Sequence, residues 1–256
     1  MKRRIESTTS RTAEMTCVSR ACSVLETNPY YMSDDNIAPL LLPSGLRPFL
    51  HISLVRRLFT KVAAPKGIYE YVIVRTKYID AVFKQALVEQ FDQILIFGAG
   101  FDTRALRFQD AMGNTNVFEL DVPLTQQAKI GQYEKRHLAI PENLTFIAID
   151  FNKESLSTKL NEAGFSKNQR SLFILEGLVM YLQPSQLMKH FESFGIIPGM
   201  EVGLCLTTST HLFCGRKAFT MVKQKLSKPY PVLMSNGSLG LRRDRSSNFL
   251  PNMKCN

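Results

Sequence analysis

The sequence predicts an α/β fold in which parallel strands alternate with helices. A predicted strand, Gln93–Phe97, contains the short apolar run Ile94–Phe97. It leads directly into a turn containing Gly98 and Gly100, and a helical pattern resumes near Thr103. A strand, a glycine turn and a helix in this order open the nucleotide-binding half of a doubly wound sheet, where glycines let the backbone approach a ligand. Further strand patterns alternate with helical ones to about Thr207, which is typical of a parallel sheet.

Composition narrows the class of protein. The chain has 256 residues, of which 45% are hydrophobic and 21% charged, as in ordinary globular domains. The net charge of +10 raises nucleic acid as a partner. However, the basic residues are scattered and no aromatic residues alternate with them to form a stacking platform. We therefore expect a small-molecule substrate and no nucleic-acid partner.

The cysteine, histidine and apolar patterns argue against a disulfide-rich, metal-binding, secreted or membrane-spanning protein. The five cysteines form no Cys-x-x-Cys pair and the four histidines show no metal-ligand spacing, so we expect neither a disulfide scaffold nor a metal site. Polar residues occupy the place of a signal peptide's apolar region, and no apolar run reaches the length of a membrane-spanning helix. We expect a cytoplasmic enzyme without a membrane partner.

The N-terminal third is predicted to be helical, with helices over Thr12–Glu26, Leu46–Ala63 and Lys66–Gln90. In the third helix, apolar residues recur at a spacing of four, and Arg75 lies in the same stripe between Tyr71 and Ile79. A charge in an apolar stripe needs an anionic partner or a path to water. Two alternatives stay open for Arg75: a structural carboxylate, or a ligand carboxylate near the glycine turn.

Four further strands are predicted over Asn116–Leu120, Thr145–Ile149, Ser171–Leu175 and Glu201–Thr207. Predicted helices follow at Pro123–His137, Lys153–Ala163, Pro184 to Gly195 and Phe213–Leu226. The last segment, Ser235–Asn256, is rich in serine, asparagine, glycine and arginine, and we expect it to contribute little to the core.

The second strand ends in a carboxylate that is suited to a ribose. Ligands of open parallel sheets bind beyond the carboxyl ends of the strands, and an acidic residue about 20 positions past the glycines binds the ribose hydroxyls. Asp121 has this position relative to Gly100. Glu119 lies two residues earlier on the same face of the strand and remains a rival for the role.

The third and fourth strands also end in polar residues. Asp150 and Phe151 follow the third strand, and Glu176 follows the fourth. A carboxylate can accept a hydrogen bond from an exocyclic amine, and an apolar neighbour can cover a base. Acidic residues at the ends of three strands beside a glycine turn indicate a nucleotide-like ligand.

The turn departs from the dinucleotide pattern, because Thr103 stands where a third glycine is expected. Asp102 is placed at the start of the following helix, where a carboxylate would repel a pyrophosphate. The pattern therefore disfavours NAD and favours a ligand with an adenosine and no phosphate, such as S-adenosylmethionine. The carboxylate of that ligand would give Arg75 a partner.

Four motifs in order resemble those of the leucine carboxyl methyltransferase-like family, which comprises class I S-adenosylmethionine-dependent methyltransferases. They are Gly98-Ala-Gly100-Phe-Asp-Thr-Arg104, Phe118-Glu-Leu-Asp121-Val-Pro123, Asp150-Phe151 and Glu176-Gly-Leu-Val-Met-Tyr181-Leu182. Upstream, Arg75-Thr-Lys-Tyr-Ile-Asp80 resembles the family's arginine helix, and Arg20-Ala21 and Asp34–Ala38 resemble its N-terminal lid. The resemblance covers about residues 11–195, points to bacterial members, and fails after about Pro198.

The resemblance implies a Rossmann-like sheet with an N-terminal helical lid, and leaves open whether the C-terminal strands are complete. By it, residues 1–90 form the lid and arginine helix, 91–210 the cofactor-binding core, and 211–256 a divergent, loosely packed segment. It also implies cofactor-binding roles for Arg75, Gly98, Gly100, Asp121, Asp150, Phe151 and Glu176. Arg75 would bind the methionine carboxylate and Asp121 the ribose, while Asp150 and Phe151 would bind the adenine.

The implied reaction is methyl transfer from S-adenosylmethionine to an oxygen of a small carboxylic acid or hydroxyl compound. A carboxylate acceptor is already ionised, whereas a hydroxyl acceptor needs a general base. Glu176 and Tyr181 are the candidates for such a base. Two alternatives remain: an NAD(P)-dependent oxidoreductase and a catalytically inactive S-adenosylmethionine-binding protein.

Overall fold

A computed structural model describes residues 9–60 and 67–176, together with the backbone of 202–207, 233–235 and 238–240. Five strands form one parallel sheet: β1 (Gln93–Phe97), β2 (Asn116–Asp121), β3 (Leu144–Ala148), β4 (Ser171–Glu176) and β5 (Val202–Thr207). Their spatial order is β3-β2-β1-β4-β5. The chain reverses its direction of progress between β1 and β4, which is the switch point of a doubly wound sheet. The predicted Rossmann-like α/β fold is confirmed.

The described residues include nine helices. They are α1 (Arg11–Ser23), α2 (Ala38–Leu41), α3 (Arg47–Leu50), α4 (Ser53–Leu58), α5 (Ile68–Val88), α6 (Arg104–Arg107), α7 (Gln109–Met112), α8 (Pro123–Lys135) and α9 (Leu156–Glu162). Ser10 caps α1 by accepting a hydrogen bond from the Ala13 N–H at 3.3 Å. Among the described helices, none has both the length and the apolar character needed to cross a bilayer.

Strand β1 lies at the centre of two apolar layers. All five of its residues are buried, and because side chains alternate along a strand they enter opposite layers. Ile94 and Ile96 pack in the layer that contains α1 and α5. Leu95 and Phe97 pack in the layer that contains α9. This double burial explains why Ile94–Phe97 is a continuous apolar run, and it places the turn after β1 at the edge of the sheet.

The predicted helix over residues 46–63 is wrong as one element. Helix α3 ends at Leu50, and Ile52 takes an extended conformation before α4 begins. A continuous helix would bond the Leu50 carbonyl to a backbone N–H one turn later. Here the Arg56 guanidinium donates to that carbonyl at 2.6 Å instead. The side chain therefore satisfies the acceptor that the break leaves open.

Other boundaries differ by smaller amounts. The helix predicted from Lys153 begins later, because Ser155 accepts from the Thr158 N–H and caps α9. The helical pattern after the glycine turn divides at Phe108 into α6 and α7.

The C-terminal predictions are described only in small part. Strand β6 (Leu233–Ser235) pairs antiparallel with β7 (Ser238–Gly240) in a separate two-stranded sheet. The predicted helices at Pro184 to Gly195 and Phe213–Leu226, and the remainder of Ser235–Asn256, lie outside the described residues. The expectation of a loosely packed C-terminal segment stays a prediction.

Candidate functional site

A cavity of about 430 Å³ opens at the carboxyl edge of the sheet. All seven residues that were predicted to bind a cofactor border it: Arg75, Gly98, Gly100, Asp121, Asp150, Phe151 and Glu176. They come from α5, the turn after β1, the ends of β2 and β4, and the loop after β3. The fold thus brings together residues that are up to a hundred positions apart. The other candidate base, Tyr181, lies outside the described residues.

The glycine turn is built by left-handed backbone at Gly98 (φ 64°) and Gly100 (φ 54°), a conformation that favours glycine. The sequence suggested that both glycines clear space for a ligand. At Gly100, however, an added Cβ would lie 2.9 Å from the Cβ of Ala13 in α1. The space beside Gly100 is therefore occupied by α1.

Asp121 joins the end of β2 to the glycine turn. One of its carboxylate oxygens accepts a hydrogen bond from the Gly100 N–H, and the other accepts from the Val122 N–H at 2.6 Å. Burial raises the pKa of Asp121, and these two N–H donors oppose the rise. Each oxygen can still accept a second hydrogen bond, so the carboxylate can serve the turn and a ligand together.

The rival carboxylate has a different environment. Glu119 is fully buried, pairs with the Lys129 ammonium and is not among the residues that border the cavity. Burial raises the pKa of Glu119, and Lys129 opposes the rise. Of the two acids on this face of β2, only Asp121 reaches the cavity, and its ribose role stays a prediction.

Arg75 pairs with Glu176 across the cavity wall, with Nη2 and Oε1 2.7 Å apart. Arg75 therefore has a carboxylate partner within the protein, and because that partner is itself a cavity residue, the ligand role of Arg75 stays a prediction. The Arg75 Nε is buried and has no hydrogen-bond partner among the described residues. Burial would raise the pKa of Glu176, but Arg75 and Arg104 outweigh it and hold that pKa below its usual range.

Arg104 joins three elements at the floor of the cavity. Its Nε donates to Asp80 of α5 at 2.7 Å, and its Nη1 donates to Glu176 at 3.0 Å and to Asp102. Burial would raise the pKa of Asp102, but Arg104 foremost holds it below its usual range. The position of Glu176 is thus set by two guanidinium groups.

The reasoning from Asp102 against a pyrophosphate needs a correction. Its charge is balanced by Arg104, so simple repulsion is weaker than the sequence suggested. The stronger obstacle is the loss of a donor, because the Arg104 backbone N–H is already bonded to the Asp102 carboxylate at 2.7 Å. In addition, α6 has only four residues and therefore lacks the extended dipole that favours a phosphate.

The sequence reasoning missed the start of α1 as a cavity wall. Residues 9–13 border the cavity, and the Ser10 N–H donates to the Thr125 hydroxyl at 3.2 Å. The available signal was Ser10 itself, because a serine directly before a helical pattern is an N-cap signal that predicts ordered backbone at that point.

Arg20 links α1 to the glycine turn. Its Nη1 pairs with Asp35 at 2.7 Å and donates to the Thr103 hydroxyl at 3.3 Å, and its Nη2 donates to the Phe101 carbonyl at 2.5 Å. Arg20 and Asp35 lie in the segments that resemble a family lid. The geometry shows how such a lid is held: a buried ion pair bonds directly to the turn.

Comparison with known proteins adds to this geometry. Residues 13–194 match the sequence profile of the family described as leucine carboxyl methyltransferase. A Mycobacterium marinum protein, provisionally named S-adenosyl-L-methionine-dependent methyltransferase, is 32% identical over 206 residues, which cover 77% of this chain and 65% of that protein. A Bacillus subtilis protein with the same provisional name is 34% identical over 110 residues, covering 43% and 36% of the two chains.

The chain spans less than two thirds of the length of the curated relatives that it matches first, with coverage of 65%, 43% and 62%. Among solved structures, a methyltransferase of provisional assignment from Thermobifida fusca is similar with a TM-score of 0.49 and 14% identity, over 78% of this chain and 67% of that one. The profile match covers the glycine turn and every cavity residue except residues 9–12. The chain therefore belongs to the leucine carboxyl methyltransferase family.

Proposed function

We propose that this chain binds S-adenosylmethionine in the cavity and transfers its methyl group to an oxygen of a small carboxylic acid or hydroxyl compound. The observation that carries the proposal is the meeting of the seven predicted cofactor residues on one cavity. Family membership and the provisional names of the relatives support the same activity.

The charges at one end of the cavity suit an amino acid zwitterion. Arg75 offers a carboxylate its Nε, which no described residue accepts, and Glu176 offers an acceptor to an ammonium group. Such a ligand replaces one internal ion pair by two external ones, so neither buried charge loses its partner. This exchange keeps the cost of opening the Arg75–Glu176 pair low, because a buried charge is expensive only when it is left alone.

The other end suits an adenosine. Asp121 has acceptor capacity for a ribose diol. Asp150 accepts from the Asn152 N–H at 3.0 Å, which fixes its carboxylate beside the cavity. The Phe151 ring is buried and lies 6.1 Å from the Phe97 ring, so it forms a stationary apolar wall. The volume of about 430 Å³ lies within the usual range for small-molecule sites.

The bound cofactor would supply a methyl group that its sulfonium already activates. The protein then contributes positioning and exclusion of water. Glu176 is a poor general base, because Arg75 and Arg104 hold its pKa below the usual range and a weak base removes protons slowly near neutral pH. This favours an acceptor that is already ionised, namely a carboxylate.

The two alternative functions, an NAD(P)-dependent oxidoreductase and an inactive S-adenosylmethionine-binding protein, can be distinguished from the proposed enzyme by experiment. We expect calorimetric titration of the full chain to show binding of S-adenosylhomocysteine and none of NADH. Binding of NADH alone would overturn the proposal in favour of an oxidoreductase. Transfer of labelled methyl from S-adenosylmethionine to small carboxylic acids then separates the enzyme from an inactive binding protein.

We also propose that the chain divides into three regions. Residues 1–90 form the lid and arginine helix, residues 91–210 form the cofactor-binding core, and residues 211–256 form a divergent segment. The support for this division is the placement of α1 over the glycine turn and of β1 to β5 in one sheet.

A further inference from the structure

We propose that helices α3 and α4 form a docking surface for an anionic lipid bilayer. The α3–α4 surface comprises residues 46–58. Six of the fourteen exposed large apolar side chains in the described part of the chain lie there: Leu46, Phe49, Ile52, Leu54, Val55 and Leu58. A concentration of exposed large apolar side chains in one short segment is typical of an interaction site in a folded protein.

Helix α4 packs few of its side chains against the rest of the protein, and none of its residues is buried. Leu54 is 74% exposed and Leu58 is 60% exposed. A surface helix ordinarily buries its apolar stripe against the core. The apolar residues of α4 instead face outward, so they are available to an external partner.

The charge of this region identifies the class of partner. No acidic residue occurs between Asp35 and Glu70, although the whole chain has 22. Within the described residues, Arg47, Arg56 and Arg57 form no ion pair with a carboxylate. Arg47 and Arg56 bond only to carbonyl oxygens in the contacts seen, and hydrogen bonds of this kind leave the positive charge unneutralised.

A positive, outward-facing apolar surface is complementary to anionic lipid. Basic residues attract the headgroups, and aliphatic side chains enter the boundary between headgroups and acyl chains. Nucleic acid fits less well. Its phosphates bind basic side chains but give the exposed aliphatic residues no apolar partner, and only Phe49 of the six is aromatic and able to stack on an unpaired base. A second copy fits less well too, because two such surfaces would place like charges against each other.

The proposed mode is docking on the surface of a bilayer, which is physically distinct from crossing it. It departs from the expectation, drawn from the sequence, that the chain has no membrane partner. It concerns residues outside the cavity, since none of residues 46–58 borders the cavity beside the glycine turn. Docking can therefore be measured whether or not the chain transfers methyl groups.

The test is flotation of the full chain with vesicles of phosphatidylcholine alone and of phosphatidylcholine mixed with phosphatidylglycerol. We expect binding to the mixed vesicles that is at least about tenfold tighter than to neutral ones and that weakens with added salt. The double change Leu54→Glu with Leu58→Glu should reduce binding about tenfold or more. Val88→Glu is the matched control, because Val88 is 77% exposed at the end of α5, and it should bind like the parent.

Several results would overturn the proposal. Equal binding of the chain to anionic and neutral vesicles contradicts it, and so does a loss of vesicle binding that is the same in Val88→Glu and in the α4 double variant. Tighter binding to duplex DNA than to anionic vesicles would assign the surface to nucleic acid. A dimer that the double variant dissociates would assign it to a second copy. Should the double variant unfold by circular dichroism, Arg57→Glu provides the second test: it should weaken binding to anionic vesicles and leave the fold intact.

Discussion

Arg75 combines an internal ion pair with a buried donor that no described residue accepts. A guanidinium can hold a carboxylate through two parallel hydrogen bonds, whereas an ammonium group cannot copy that geometry. We expect Arg75→Lys to weaken S-adenosylhomocysteine binding about tenfold or more and to leave adenosine binding nearly unchanged, as calorimetry with both ligands would show.

The matched control for Arg75 is Arg107→Lys. Arg107 pairs with Asp80 at 2.8 Å and does not border the cavity. The Arg107→Lys substitution should therefore leave the ratio of the S-adenosylhomocysteine and adenosine affinities as in the parent. Equal losses of adenosine and S-adenosylhomocysteine affinity in Arg75→Lys would show that Arg75 acts on the fold and not on the ligand carboxylate.

The two acids of β2 should respond to substitution in opposite ways. Asp121→Asn removes charge from a cavity carboxylate, so we expect roughly a tenfold to hundredfold loss of S-adenosylhomocysteine affinity. Glu119→Gln leaves the buried Lys129 ammonium without its counter-charge, so we expect lower thermal stability with affinity little changed. Titration and thermal unfolding of both variants check this, and the reverse pattern would make Glu119 the ribose ligand.

At the scale of elements, the contact between α1 and the glycine turn is tight enough to test with one methyl group. Gly100→Ala brings a Cβ within 2.9 Å of Ala13 and demands φ near 54° from alanine. We expect overpacking and backbone strain of about 1–3 kcal/mol, released by displacement of α1. Limited proteolysis should then cleave after the exposed Arg11 earlier than in the parent.

Gly131→Ala is the control for that experiment. Gly131 lies within α8, and an added Cβ there meets nothing within 4 Å. Because alanine is a better helix former than glycine, this variant should be stabilised by about 0.5–1 kcal/mol. A digestion of Gly100→Ala that matches the parent would show that α1 is not held by this contact.

The elements that were predicted well are those whose signal is local. β1 was predicted with its observed bounds, because five consecutive residues are buried and glycines end the run. The break between α3 and α4 was not predictable in this way, since the Leu50 carbonyl is satisfied by the side chain of Arg56 and no local pattern records that bond. Sequence patterns report backbone propensity and burial, but not the identity of side-chain partners.

In the candidate site, too, features with a local sequence signal were predicted, and contacts between remote side chains were not. The strand-end positions of Asp121, Asp150 and Glu176 follow from topology, so the sequence located them. Their ionic partners did not follow, because the Arg75–Glu176 pair joins α5 to β4 across a long stretch of sequence. The contact between Gly100 and α1 was not predictable for the same reason: Ala13, which an added Cβ at Gly100 would meet, is remote in the chain.

For the whole molecule, the buried ions should govern stability in acid. Glu176 pairs with both Arg75 and Arg104, and its pKa is lowered from its ordinary value of 4.5. A lowered pKa stabilises the folded state above the unfolded pKa, and this contribution is lost as pH falls through the folded value. We expect Glu176→Gln to be less stable than the parent by about 3 kcal/mol at neutral pH.

That difference should shrink below about pH 4.5 and vanish once the parent carboxylate is also protonated. Urea unfolding of both proteins across this range measures it directly. A stability difference that stays constant down to the acid limit would mean that Glu176 contributes by packing alone.

The central place of β1 has a consequence for how the chain folds during synthesis. β1 pairs with β2, which follows it closely, and on its other side with β4, where Gln93 meets Ser171. Until the ribosome has released β4, one edge of β1 has no partner and Arg75 and Arg104 lack the carboxylate of Glu176. Burying those guanidinium groups is then unfavourable, so the N-terminal half should wait for β4 before it closes. Pulse-labelling hydrogen exchange on stalled nascent chains would show amide protection of β1 only after β4 has emerged.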